Sequence, residues 1–269
     1  MLMSSPTQQP NDRLNRIPLL EGFTGGCAIT NGQHHEVFRL FYSNHSDYIV
    51  QYKRKDGKEK SMSKIENSII QANVGVAPTC IFYDDQIAVY EFIEGKHPKV
   101  TDANIIRIAD TIKTIQSGPK MEGTYCPIKK MNKLRAKVEM PNHINKHLDQ
   151  IIKHLKHNTS LVPSHNDLAL QNIIDDGEKM YVIDWEFSGQ AVKEWDAAFL
   201  SIHGHFNVDQ DKLLLESLYG TIDYDIWINH KFYKLIFIGM LMAMKIRSGD
   251  DKAVKAWSSK FDKILIGKY

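Results

Sequence analysis

His165, Asp167, Asn172 and Asp184 are the residues of this chain whose types and spacing could do chemistry. Asp167 follows His165 by two positions and Asn172 follows Asp167 by five, while Asp184 closes an apolar run and is followed by Trp185 and Glu186. Two carboxylates and an amide at one point are what magnesium-dependent phosphoryl transfer requires. One carboxylate orients a hydroxyl and takes its proton, and the remaining oxygens hold a hard cation that keeps waters and phosphate oxygens in its shell. Each residue alone would be an ordinary polar group in a loop. Their joint order is much rarer.

The elements that must position them are legible nearby. Two β-prone runs, 173–174 and 180–183, are joined through Asp175-Asp176-Gly177-Glu178, and Asp-Gly between such runs signals a hairpin. That hairpin folds Asp184 back beside Asn172. Upstream, residues 25–29, 36–42, 48–52 and 86–92 read as strands, and 62–72 as a helix with Ile65, Ile69 and Ile70 on one side. Beyond Gly95 the pattern turns helical. Thr101-Asp102 caps a run with Ile105, Ile108, Ile112 and Ile115 at helical spacing, and Gly118-Pro119 ends it. Further helices are predicted at 142–156, 194–204, 210–219, 224–249 and 251–266.

The order HxDxxxxN, hairpin, Ile183-Asp184-Trp185-Glu186-Phe187-Ser188-Gly189, then Trp195-Asp196-Ala197-Ala198, resembles the choline/ethanolamine kinase branch of the aminoglycoside phosphotransferase superfamily. The resemblance implies an α+β, bilobal protein-kinase-like fold. A tail (1–16) read as disordered would precede a small β-rich N-lobe (17–94) for nucleotide and a larger, mostly helical C-lobe (95–269) for catalysis and the acceptor. It also implies ATP and Mg²⁺ as cofactors. The spacing of Asp167 to Asn172 is that of the protein-kinase catalytic loop, with Asp167 as base and Asn172 and Asp184 as metal ligands. In that pattern His165 braces the loop, and Asp196 ties the following segment to it.

The same resemblance assigns the nucleotide contacts. Gly25 and Gly26 match a glycine pair that lets backbone amides approach phosphates. Gln51 stands where relatives carry a phosphate-contacting cation, and Lys53, two positions along the same strand face, is the candidate replacement. Glu66 matches the glutamate that pairs with that cation. Residues 89–95 resemble the hinge, where the backbone at Glu91 and Ile93 would read adenine.

The acceptor is expected to be a small cationic alcohol, drawn by Asp167 and Glu186 and by aromatic faces such as Trp185 and Trp257. Choline or ethanolamine leads, followed by thiamine and an aminoglycoside. Ile238 and Leu241 occupy the places of a tryptophan pair in choline kinases. The reading from another class is a catalytically weak nucleotide-binding protein, prompted by Gln51.

Composition agrees with a globular enzyme. The 34 basic and 32 acidic residues among 269 leave a net charge of +2, which gives no electrostatic case for nucleic acid. Cys27, Cys80 and Cys126 lack metal-ligand spacing and read as reduced thiols. The longest apolar run, 235–244, is too short to cross a bilayer, and the N-terminal stretch is polar. The expected setting is the cytoplasm, with neither membrane nor nucleic acid as partner.

Overall fold

The structure, a computed structural model, describes residues 17, 20–31, 35–53, 63–155 and 161–267. The expected tail at 1–16 and the side chain of Lys53 lie outside the described residues. Strands β1 (Gly25–Asn31), β2 (His35–Phe41), β3 (Tyr48–Lys53), β4 (Cys80–Tyr83) and β5 (Ile87–Glu91) form one antiparallel sheet, and helix α1 (Ser63–Asn73) runs between β3 and β4. The strand order is β1-β2-β3-β5-β4, which puts β3 in the middle. Alternation along the strands sends Leu40, Val50, Ile87 and Val89 to one face, where they pack with Ile17 and Leu20. β4 is absent from the sequence reading because four residues are too few to display that alternation.

Helices dominate the rest: α2 (Asp102–Ser117), α3 (Pro127–Arg135), α4 (Asn142–Leu155), α5 (Trp195–His203), α6 (Val208–Tyr219), α7 (Tyr224–Ser248) and α8 (Asp251–Leu265). Thr101 caps α2, its hydroxyl accepting the Asn104 amide at 3.3 Å, and Ile105, Ile108, Ile112 and Ile115 are buried along one face. Each such side chain contributes roughly 1.5–3 kcal/mol on leaving water. Helix α7 is the hub. Its residues 233–240 are all buried, and α3, α4, α5 and α8 pack around it. Ile238 and Leu241 therefore serve packing, Ile238 in full burial and Leu241 at the core margin.

Between α4 and α5 lie two short ladders, β6 (Leu161–Ser164) with β9 (Gly189–Val192) and β7 (Ile173–Asp175) with β8 (Met180–Val182). The first was not foreseen from sequence. The chain leaving β5 is stitched to the second: the Lys96 and Asp175 backbones exchange hydrogen bonds of 2.8 and 2.9 Å, and Arg107 grips the Asp175 carboxylate with two nitrogens at 2.5 and 2.8 Å. Only glycine fits at Gly95, where a Cβ would lie 2.5 Å from the Asp175 carbonyl oxygen. The sheet-bearing and helical halves meet at this stitch. Among the described residues, no helix is long and apolar enough to cross a membrane.

Candidate active site

The hairpin expected between Asn172 and Asp184 is present. Ile173 pairs with Val182, Ile174 with Tyr181 and Asp175 with Met180, and the Asp176 carboxylate accepts the Glu178 and Lys179 amides at 2.8 Å to close the turn. Beyond the last pair, Ile183 N–H donates to the Asn172 carbonyl at 2.9 Å. Asn172 ends a 3-10 turn (Leu170–Asn172), and Asp184 opens another (Trp185–Phe187).

Asn166 and Asp184 are the non-glycine residues of this segment held in the left-handed region, with φ of 67° and 63°. Such conformations cost about 1–3 kcal/mol each and persist only when their surroundings over-determine them. Those surroundings are present. The buried Asp196 carboxylate accepts the His165 and Asn166 amides at 2.8 Å each, and Asn166 Nδ2 donates to the Phe187 carbonyl at 2.9 Å. The fully buried His165 ring donates from Nε2 to the Ile183 carbonyl at 3.0 Å and meets Trp185 edge-on at 4.8 Å. Burial pulls the imidazole down to about 4, so it stays neutral and braces the two loops.

Asp167 is half-buried at the mouth of this arrangement. Asn172 Nδ2 donates to its carbonyl oxygen at 2.9 Å and its carboxylate at 3.3 Å. Burial, then the charges of Asp184 and Glu186, push Asp167 up to about 7. Three carboxylates, those of Asp167, Asp184 and Glu186, are thus close enough to feel one another's charge. With the Asn172 nitrogen turned toward Asp167, its amide oxygen is left for a cation, and Asp184 is exposed beside it. The donor set is all oxygen, which suits a hard cation. Among the described residues, no group of three or more His, Cys, Asp or Glu side chains could hold a metal ion alone.

The other expected site residues are placed as follows. Glu186 is half-buried within charge range of Asp167. Trp185 corrects the sequence expectation of an aromatic substrate face: it is 4% exposed, its indole N–H donates to the Val182 carbonyl at 2.8 Å, and its ring sits in the core. Trp257 lies on α8, against the α7 core with Lys260 at 5.5 Å over its ring, and not on the Asp167–Glu186 segment. Gly25 and Gly26 are paired within edge strand β1, opposite Phe41 and Leu40. A Cβ at Gly26 would sit 3.1 Å from the Arg39 carbonyl oxygen, so close strand approach is one reason for that glycine. Gln51 is central in the sheet between Val37 and Ala88, and Lys53 ends the strand. Glu66 is exposed in the first turn of α1. At the expected hinge, Glu91 N–H donates to the Thr79 carbonyl at 3.0 Å, and Ile93 has no backbone hydrogen-bond partner among the described residues.

Several residues at the site went unnoticed in the sequence. Tyr125 is half-buried, close enough for the Asp167 charge to add to the burial that raises its hydroxyl, and its ring stacks near Trp195 at 5.6 Å. Lys64 and Asn67 bind the segment after Asp184 to α1, and Asn67 also clasps the Glu122 backbone. No local pattern marks any of them, because tertiary packing alone brings them there.

Comparison with known proteins agrees with this geometry. The family profile for choline/ethanolamine kinase matches residues 85–211, which contain the expected hinge and the residues from His165 to Asp196. The LicA homolog of Mycoplasma capricolum is 30% identical over 169 residues, spanning 60% of this chain and 69% of that one. This chain belongs to the choline/ethanolamine kinase family. It is a phosphotransferase acting on a small-molecule alcohol. Among solved structures, the choline kinase LicA of Streptococcus pneumoniae superposes with a TM-score of 0.76 at 18% identity, covering 95% of this chain and 98% of that one. LicA in complex with AMP gives 0.70 at 16% identity, with 94% and 96% covered. The fold is thus the bilobal, protein-kinase-like α+β architecture expected from the sequence.

Proposed function

We propose that this kinase transfers the γ-phosphoryl group of ATP to the hydroxyl of choline or ethanolamine with Mg²⁺ as cofactor. The observation that carries the reading is the crowding of carboxylates at Asp167, which burial, then the charges of Asp184 and Glu186, push up to about 7. A metal cation and a cationic acceptor are the two charges that would relieve it. An uncharged or anionic alcohol would bring no charge to offset it.

In this reading the segment 17–94 holds the nucleotide and 95–269 the acceptor. Adenine lies along the backbone at Glu91 and Ile93, with Gly25, Gly26, Lys53 and Glu66 on the phosphate side. Asn172 and Asp184 would hold Mg²⁺, which when bound supplies charge neutralisation for the phosphate oxygens. Asp167 orients the acceptor hydroxyl and takes its proton as the oxygen attacks the γ-phosphorus and ADP departs. Glu186 faces the acceptor cation. Free thiols at Cys27, Cys80 and Cys126 suit the cytoplasm, where ATP is plentiful.

The test is acceptor-dependent ADP release over choline, ethanolamine, thiamine and kanamycin, with and without Mg²⁺. Turnover on choline or ethanolamine that vanishes in Asp167→Asn is the expected result. Turnover confined to thiamine or kanamycin overturns the acceptor assignment. Absence of turnover on every acceptor overturns catalysis by this chain.

A further inference from the structure

Asp184 sits in a left-handed conformation immediately before a single 3-10 turn, so its carboxylate is aimed by whatever holds that turn. The turn is held through its carbonyls. Ser188 donates to the Trp185 carbonyl from its amide at 3.0 Å and from its hydroxyl at 2.6 Å. Asn166 holds the Phe187 carbonyl, and Lys64 of α1 donates to the Ser188 carbonyl.

Behind Ser188 stands Asn67. It is fully buried on α1, and its side-chain amide behaves as a strand neighbour would. Nδ2 donates to the Glu122 carbonyl at 3.0 Å, and Oδ1 accepts the Glu122 amide at 2.8 Å. The second Nδ2 hydrogen goes to Ser188 Oγ at 3.1 Å. A relay therefore runs from Asn67 through the Ser188 hydroxyl to the Trp185 carbonyl, one residue from Asp184. It joins α1 of the sheet-bearing half to the loop that carries the carboxylate. A leucine of similar volume could fill the space but would leave Glu122 N–H, Glu122 O and Ser188 Oγ short of partners.

We propose that Asn67 is a positioning residue for Asp184, acting through Ser188 to keep the carboxylate in its cation-holding orientation. The proposal rests on the reading of Asp184 as a metal holder. It separates two duties of α1: packing, which any apolar residue could share, and aiming, which needs the side-chain amide.

The test compares Asn67→Ala and Ser188→Ala with the wild type by the Mg²⁺ dependence of ADP binding, measured calorimetrically, alongside acceptor-dependent turnover. Outer partners of this kind change metal affinity about 10- to 100-fold, so the apparent Mg²⁺ constant should weaken by about tenfold or more in both variants, with ADP affinity in the absence of metal unchanged. The double variant should be no worse than the worse single one, because both cut the same relay. Wild-type Mg²⁺ dependence in Asn67→Ala overturns the positioning role. Should that variant fail to fold, Ser188→Ala decides alone, since it leaves the Asn67–Glu122 clasp intact, and a wild-type constant there overturns the relay. If ADP binding to the wild type is indifferent to Mg²⁺, the metal assignment of Asp184 falls and the proposal with it.

Discussion

Asp196 holds His165 by its backbone: one carboxylate oxygen accepts the His165 amide at 2.8 Å, and the other takes the next amide, Asn166, at 2.8 Å. All three residues are buried, and Asn166 carries a φ of 67°. The carboxylate thus substitutes for backbone partners that a strained loop cannot find in a sheet or helix. Through it, α5 fixes the loop that presents Asp167.

Removing that carboxylate should be costly. Asp196→Ala strands two buried N–H groups, at about 1–3 kcal/mol each. We predict a loss of stability of about 2–6 kcal/mol for the two together, read by urea denaturation, with a fall in kcat as Asp167 loses its fixed height. Equal stability and rate in the variant would show that the loop holds itself.

Asp167 links activity to pH. Its carboxyl must be ionised to take a proton, and in the free protein it ionises at about 7. Expected kcat/KM therefore falls as pH drops through about 7, and raising Mg²⁺ moves the fall toward lower pH. For stability the sign is opposite. A folded-state value raised above the ordinary 3.8 means that the stability present below about pH 4 is lost as pH climbs through 7. Asp167→Asn should thus melt above the wild type at pH 8 and level with it near pH 3.5, while turnover drops about 100-fold or more. A pH-independent difference in melting temperature would count against the crowding of charge.

The stitch between the two halves gives a paired prediction. At Gly95 a Cβ would press into the Asp175 backbone, which cannot yield without moving the hairpin that carries Asn172 and Asp184. Gly95→Ala should cost about 1–3 kcal/mol and lower kcat. Arg107→Ala removes a bidentate but part-exposed ion pair and should cost about 1 kcal/mol or less. Comparable losses in the two variants, by thermal denaturation and initial rates, would contradict this ordering.

How much of this was legible in the sequence depended on whether the information was local. The hairpin, the Thr101 cap and the isoleucine face of α2 were readable because turn residues and a 3.6-residue period lie within one short window. The closeness of Asp167, Asn172 and Asp184 was readable for the same reason. Strands β4, β6 and β9, four residues each, fell below what periodicity can reveal. Trp185 misled because an aromatic between two acidic residues looks exposed, whereas the left-handed Asp184 turns it inward onto His165. Asn67, Glu122 and Tyr125 meet the site only through long-range packing.

Tyr125 supplies the last prediction. It is the half-buried aromatic whose hydroxyl feels the Asp167 charge, and one side of its ring is braced by Trp195 at 5.6 Å. An aromatic face beside a cluster of carboxylates attracts a cation, and the contribution is about 0.5–2 kcal/mol depending on desolvation. Tyr125→Leu should therefore raise KM for a trimethylammonium alcohol about 2- to 30-fold, while KM for ATP stays as in the wild type. Tyr125→Phe keeps the ring and should keep the KM, because the effect belongs to the face and not to the hydroxyl. Steady-state kinetics with choline as the varied substrate decides it. A Leu variant with unchanged KM, or a Phe variant as impaired as Leu, would place the acceptor cation elsewhere.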